Sequence, residues 1–93
     1  MKMVENKILI ITTEGCEACN IAEKNVKSAL MQFSKDVEIE VKDRSECKKI
    51  IKQNNIKDFP AVLYITYNVI RCKHIGSYPI PVYLRWMDMY FKK

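Results

Sequence analysis

Two cysteines separated by two residues, Cys16-Glu17-Ala18-Cys19, are the part of this chain best suited to chemistry. At that spacing two thiols can form and break a disulfide with each other, or share a metal ion. Two more cysteines, Cys47 and Cys72, and one histidine, His74, lie elsewhere in the chain. A structural zinc site needs four convergent ligands, and these three residues have simpler uses. Cys47 falls on the apolar stripe of a helix, where a free cysteine packs as a small hydrophobe. Cys72 shares a strand face with Ile70 and His74, which points to core packing, and His74 reads as a surface or edge residue. No metal site is expected.

The elements around the cysteine pair follow from periodicity. Lys7 to Thr13 is rich in β-branched residues and fits a strand buried on both faces, with Gly15 breaking it. From Cys16 to about Phe33, the positions Ala22, Val26, Ala29, Leu30 and Phe33 form one helical stripe, with Glu23 and Lys27 as an i,i+4 ion pair. The first cysteine therefore stands at a strand-to-helix junction. Val37 to Val41 alternates apolar and acidic residues, as a half-exposed strand does. Asp43 and Glu46 have the spacing of a capping box, opening a second helix with Cys47, Ile50, Ile51 and Asn54 on its stripe. Asn54-Asn55 supply its stop.

Ala61 to Tyr67 reads as a third strand, introduced by Asp58-Phe59-Pro60. Tyr67-Asn68 makes a hairpin turn into Val69 to Ile75, which Gly76 ends. Pro79 and Pro81 precede a last helix over Val82 to Phe91, with Tyr83, Trp86, Met87 and Tyr90 on one face. The order is βαβαββα. A helical crossover makes the first two strands parallel, and the tight hairpin makes the last two antiparallel. The expected class is α/β: a four-stranded mixed sheet flanked by three helices.

Composition narrows the function. Ninety-three residues allow one domain, spanning 1–93. Sixteen Lys and Arg against eleven Asp and Glu give +5, without the clustered basic footprint that nucleic-acid binding needs. Such a surface steers acidic partners instead. The longest apolar runs are too short to span a bilayer. The charged start, Met1 to Lys7, is not a signal peptide. A soluble protein of the reducing cytoplasm is expected.

Three features together resemble the thioredoxin superfamily. They are Cys16-Glu17-Ala18-Cys19 after a buried strand, Ile56-Lys57-Asp58-Phe59-Pro60 before the third strand, and Ile75-Gly76 after the fourth. The likeness runs from about Lys7 to the C-terminus and implies the minimal core that glutaredoxins use. Gly15 stands where thioredoxins usually place tryptophan, and Ile10 where they bury a carboxylate. Neither the Gly-Pro of thioredoxins nor the Pro-Tyr of many glutaredoxins separates the cysteines. After Gly76 comes Ser77-Tyr78-Pro79 in place of the glutathione-holding segment of glutaredoxins.

The resemblance assigns Cys16 as nucleophile and Cys19 as resolving thiol. A cysteine at a helix N-terminus has its thiolate favoured by unpaired N–H groups. Glu17 beside it, and Glu14 just before, oppose that thiolate by an effect of similar size, about 1 kcal/mol. These acids are expected to tune Cys16 toward a reductant. The resemblance also implies a cis Pro60, leaving the Phe59 backbone open to a substrate strand, with Gly15, Phe59, Ile75 and Gly76 rimming an apolar platform. The implied activity is thiol–disulfide exchange on protein disulfides, by a monomer that a reductase or glutathione recycles. No membrane partner, nucleic acid or cofactor is implied. The rival is a binding module in which the same pair holds a metal or iron–sulfur cluster, shared across a dimer.

Overall fold

The computed structural model describes residues 5–91; residues 1–4 of the charged start, with Lys92 and Lys93, lie outside the described residues. Strand β1 (Asn6–Thr12) leads through a short turn into α1 (Glu17–Gln32). Strand β2 (Glu38–Asp43) follows, then a 3-10 turn (Arg44–Glu46), α2 (Lys48–Gln53), β3 (Ala61–Thr66), β4 (Val69–Ile75) and α3 (Ile80–Phe91). The strands form one sheet in the order β2-β1-β3-β4. β1 runs parallel to β2 and antiparallel to β3, and β3 runs antiparallel to β4. Element order and strand directions are those expected from the pattern.

Central position explains the composition of β1. Ile8 and Ile10 face α1 and α3, where Ala22, Val26, Ala29, Tyr83, Met87 and Phe91 close over them. Leu9 and Ile11 face the other way, toward Cys47, Ile56, Ala61 and Leu63 under α2. Each large side chain so buried contributes roughly 1.5–3 kcal/mol relative to exposure. On the edge strand β2 only one face is covered: Ile39 packs inward, while Lys7 reaches across to Glu40 at 2.6 Å. That ion pair is the main cause holding the Glu40 carboxyl below its usual range.

Three local expectations need correction. The Asp43 capping box is present, with Glu46 Oε1 accepting from the Asp43 N–H at 3.1 Å and Asp43 Oδ2 accepting from the Ser45 N–H at 3.0 Å. It caps the 3-10 turn, however, and α2 starts only at Lys48 because Cys47 leaves helical geometry (φ −127°, ψ 29°). Helix α3 begins earlier than expected, at Ile80, with Pro81 inside its first turn, where proline's missing N–H has no partner to lose. Finally, Ile70 and Cys72 do not share a face. Tyr64 pairs with Cys72 but Ile65 with Ile70, so Arg71 is an extra residue in a bulge. Ile70 packs on the α2 side and Cys72 on the α1–α3 side, because one inserted residue reverses the alternation.

The β3–β4 hairpin turns through two residues, both in the left-handed region: Tyr67 at φ 47° and Asn68 at φ 66°. Asparagine tolerates this conformation; tyrosine is strained there. Replacing Tyr67, which is exposed, by asparagine is expected to raise the unfolding free energy by about 1 kcal/mol in a urea titration. An unchanged or lower midpoint would contradict the strain.

Candidate functional site

β1 stops at Thr12, and the chain must turn at once to lay α1 on the sheet. Gly15 makes that turn at φ +68°, with open space where a Cβ would stand. Backbone conformation rather than crowding therefore calls for glycine. Cys16 follows as the N-cap of α1. Its Sγ accepts from the Cys19 N–H at 3.0 Å, and its carbonyl accepts from the Asn20 N–H at 3.4 Å. Oxygen-bearing side chains usually fill this position. Sulfur here aims the first-turn N–H groups at a potential anion.

The two sulfur atoms form a disulfide, with Cα atoms 5.2 Å apart. Cys16 is half-buried, whereas Cys19 is only 2% exposed. One sulfur thus meets solvent and the other backs it from inside. A cleft of about 380 Å³ borders the pair, lined also by Thr12, Thr13, Gly15, Glu17, Asn20 and Glu23. Among the described residues, no cationic side chain lines it. Glu23 is paired with Lys27 at 2.7 Å, and Glu17 is exposed in the first turn of α1.

Register brings the other expected residues to the same end of the sheet. Thr12 lies beside Asp43, Ile11 beside Ala61, and Ala61 beside Ile75. The Phe59–Pro60 peptide bond is cis. Pro60 is fully buried, and its carbonyl accepts from the Gly76 N–H at 2.8 Å. Phe59 and Ile75 pack into the cluster under α2, and Gly76 turns at φ +100°. Of the nine residues singled out, Gly15, Cys16, Glu17 and Cys19 share the cleft. Glu14 is exposed in the turn before it. Phe59 lines a separate groove toward α2.

Sequence reasoning missed what anchors the Ile75–Tyr78 segment. The Tyr83 hydroxyl accepts from the Tyr78 N–H at 3.1 Å and donates to the Gly76 carbonyl at 3.4 Å. The Tyr78 hydroxyl donates to the Ile75 carbonyl at 3.0 Å, and Asn25 Nδ2 donates to the Tyr78 carbonyl at 2.9 Å. Helices α1 and α3 thereby hold the loop beside Pro60. One signal was available: a tyrosine on a buried stripe usually finds a partner for its hydroxyl.

The remaining cysteines stand apart from the cleft and on opposite faces of the sheet. Cys47 is buried, and burial pushes its thiol up, which keeps it protonated and unreactive. Cys72 Sγ lies 3.4 Å from His74 Nε2. His74 is on the edge strand, as expected, but it is half-buried and stacked on Trp86, ring centroids 3.4 Å apart and planes 4° from parallel. Among the described residues, no group of three or more His, Cys, Asp or Glu is placed to hold a metal ion. No helix among them is long and apolar enough to cross a membrane.

No protein-family model matches the chain, and no curated protein matches its sequence. Solved structures do match. A malaria-parasite thioredoxin-2, described as a component of the parasite's protein secretion machinery, superposes with a TM-score of 0.78 at 11% identity, covering 96% of this chain and 85% of its own. A Schistosoma mansoni thioredoxin gives 0.78 at 12% identity, covering 96% and 82%. A thioredoxin from Aeropyrum pernix gives 0.74 at 12% identity, covering 94% and 76%. The chain has the thioredoxin fold, with a cysteine pair at disulfide distance at the start of its first helix.

The His74 stack makes stability depend on pH. Burial lowers the imidazole pKa from its usual 6.5. Above that value the ring is neutral in both folded and unfolded chains. As the pH falls below it, the unfolded chain takes a proton that the folded chain refuses, so stability declines until the folded pKa is passed. The urea midpoint is expected to be lower at about pH 5.5 than at about pH 7.5, and His74→Phe is expected to shrink that difference. An equal difference in both proteins would contradict a neutral, buried His74.

Proposed function

We propose that this protein is a small thiol–disulfide oxidoreductase that reduces protein disulfides through Cys16 and Cys19. The observation that carries the reading is the asymmetry of the pair: one sulfur half-exposed at a helix N-cap, the other buried one turn along. Exchange needs an accessible thiolate and a second thiol that reaches it without dissociating.

In the reduced protein the Cys16 thiolate attacks one sulfur of the substrate disulfide. A mixed disulfide forms, and the other substrate sulfur leaves as a thiolate and takes a proton. The Cys19 thiolate then attacks Cys16 Sγ, the mixed disulfide breaks, and the second substrate thiol leaves. Two electrons and two protons would pass to the substrate, leaving a Cys16–Cys19 disulfide, the bond that these two sulfurs are placed to form. A dithiol reductase or two molecules of glutathione would return it to the dithiol. The chain would work as a one-domain monomer in a reducing cytoplasm.

Glu17 and Glu14 moderate the first step. Helix N-terminal N–H groups favour the Cys16 anion by roughly 0.3–1 kcal/mol. The exposed carboxylates oppose it, and the described residues of the cleft lining offer no cation to help. A thiolate stabilised only this far leaves the disulfide favoured over the dithiol, which suits a donor of electrons. Phe59, Pro60, Ile75, Gly76 and Gly15 would border the substrate chain, a reading supported by the register that sets Ala61, which follows Pro60, beside Ile11 and Ile75.

Removing the resolving thiol tests this. Cys19→Ser, incubated with a disulfide-bonded polypeptide, is expected to stall as a covalent adduct that dithiothreitol releases. Cys16→Ser is expected to form no adduct, and turnover in both variants to fall to background. Undiminished turnover by Cys16→Ser would overturn the assignment.

A further inference from the structure

A second groove, of about 560 Å³, opens on the α2 side of Phe59. Its apolar part consists of Ile51, Ile56 and Phe59, which pack on the cluster beneath. Its rim is cationic. Arg44, Lys48 and Lys52 recur every four residues along the 3-10 turn and α2, and Lys57 joins them from the following loop. All four are exposed, and none takes part in an ion pair among the described residues. The nearby carboxylates of Asp43 and Glu46 are engaged in their capping box, and the exposed Asp58, between Lys57 and Phe59, does not line the groove.

The groove belongs to the working end of the sheet. Arg44 directly follows Asp43, which lies beside Thr12, and Phe59 shortly precedes Ala61, which lies beside Ile11. Its walls therefore rise from the two strands that flank the end of β1, where the chain departs for Cys16. The cleft next to the cysteines has the opposite sign, through Glu17 and Glu23.

We propose that this groove seats the substrate polypeptide on one side of its reactive cysteine, and that the segment it selects is acidic with an embedded apolar side chain. The inference rests on the disulfide-reducing reading and names its substrate class. Four like charges around an apolar strip repel one another, and a segment bearing carboxylates relieves that repulsion while its apolar residue covers Ile51 and Phe59. Acidic residues next to the substrate cysteine would meet Glu17 instead. The acidic stretch must therefore stand off from the cysteine, which also sets the direction in which the substrate lies.

The test uses one disulfide-linked peptide in three versions. A leucine-containing stretch, separated from the cysteine by a short alanine spacer, carries glutamates, glutamines or lysines. Single-turnover reduction by the pre-reduced protein, freed of other thiols, is followed at low salt. The glutamate peptide is expected to react about tenfold faster than the glutamine peptide, and the lysine peptide more slowly than both, with the spread collapsing near 0.5 M salt. In the double variant Lys48→Glu/Lys52→Glu the order of glutamate and lysine peptides is expected to reverse. A cooperative urea transition shows that this variant is folded; should it not be, Lys52→Gln is expected to narrow the spread in its place. Equal rates for the three peptides, or a glutamate preference that survives in the folded variant, would overturn the inference while leaving disulfide reduction standing. Failure to reduce any of the three would overturn the underlying reading and this inference with it.

Discussion

Helix α1 begins on a sulfur atom, and the rest of the molecule is arranged to put it there. The Cys19 N–H points at Cys16 Sγ from 3.0 Å, in the position where a hydroxyl or carboxylate usually satisfies the first turn. A neutral sulfur is a poor acceptor for those donors and a thiolate a good one, so the same geometry that leaves the helix under-capped favours ionisation of Cys16. This coupling works only if the helix start is fixed in space. It is fixed by β1, which is buried on both faces and ends at Thr12, and by Ala22, Val26 and Ala29, whose small side chains let α1 lie close on the sheet.

The two faces of the sheet divide the work. On the α1–α3 side, large aromatic side chains fill the core and also reach the site, since the Tyr83 and Tyr78 hydroxyls hold the Ile75–Tyr78 segment. On the α2 side, a smaller aliphatic cluster supports Phe59 and leaves a charged rim around it. Ile10, directly within the first core, is fully buried among apolar neighbours. Among the described residues no carboxylate is buried with it, and the carboxylates that border the cysteine cleft are the glutamates Glu17 and Glu23.

Much of this was legible from residue type and spacing. The strand–helix order, the α1 stripe and the Glu23–Lys27 pair follow from local periodicity, because each is decided by neighbours within a few residues, and the strand directions then follow from the kind of connection, a helical crossover or a tight hairpin. The hairpin was legible through Asn68, although the left-handed Tyr67 was not, since nothing in a tyrosine announces it. The Arg71 bulge escaped because Ile70, Cys72 and His74 keep an unbroken alternation in sequence, and the register slip is set across the sheet. The His74–Trp86 stack and the hydroxyl network depend on where α3 lands, which no local pattern specifies. The cationic rim has a local signature, the four-residue spacing of Arg44, Lys48 and Lys52, but its meeting with Lys57 and Phe59 is set by the fold.

In the proposed function, what would make the pair a reductant rather than an oxidant is the balance between the N-terminal N–H groups of α1 and the carboxylates of Glu14 and Glu17. The most direct test is the reduction potential of the Cys16–Cys19 couple, measured by equilibration with glutathione and trapping of free thiols. A value at or below about −230 mV, among the disulfide reductases, is expected. A value near about −120 mV would mean a strongly stabilised thiolate and a protein that makes disulfides, reversing the direction of electron flow.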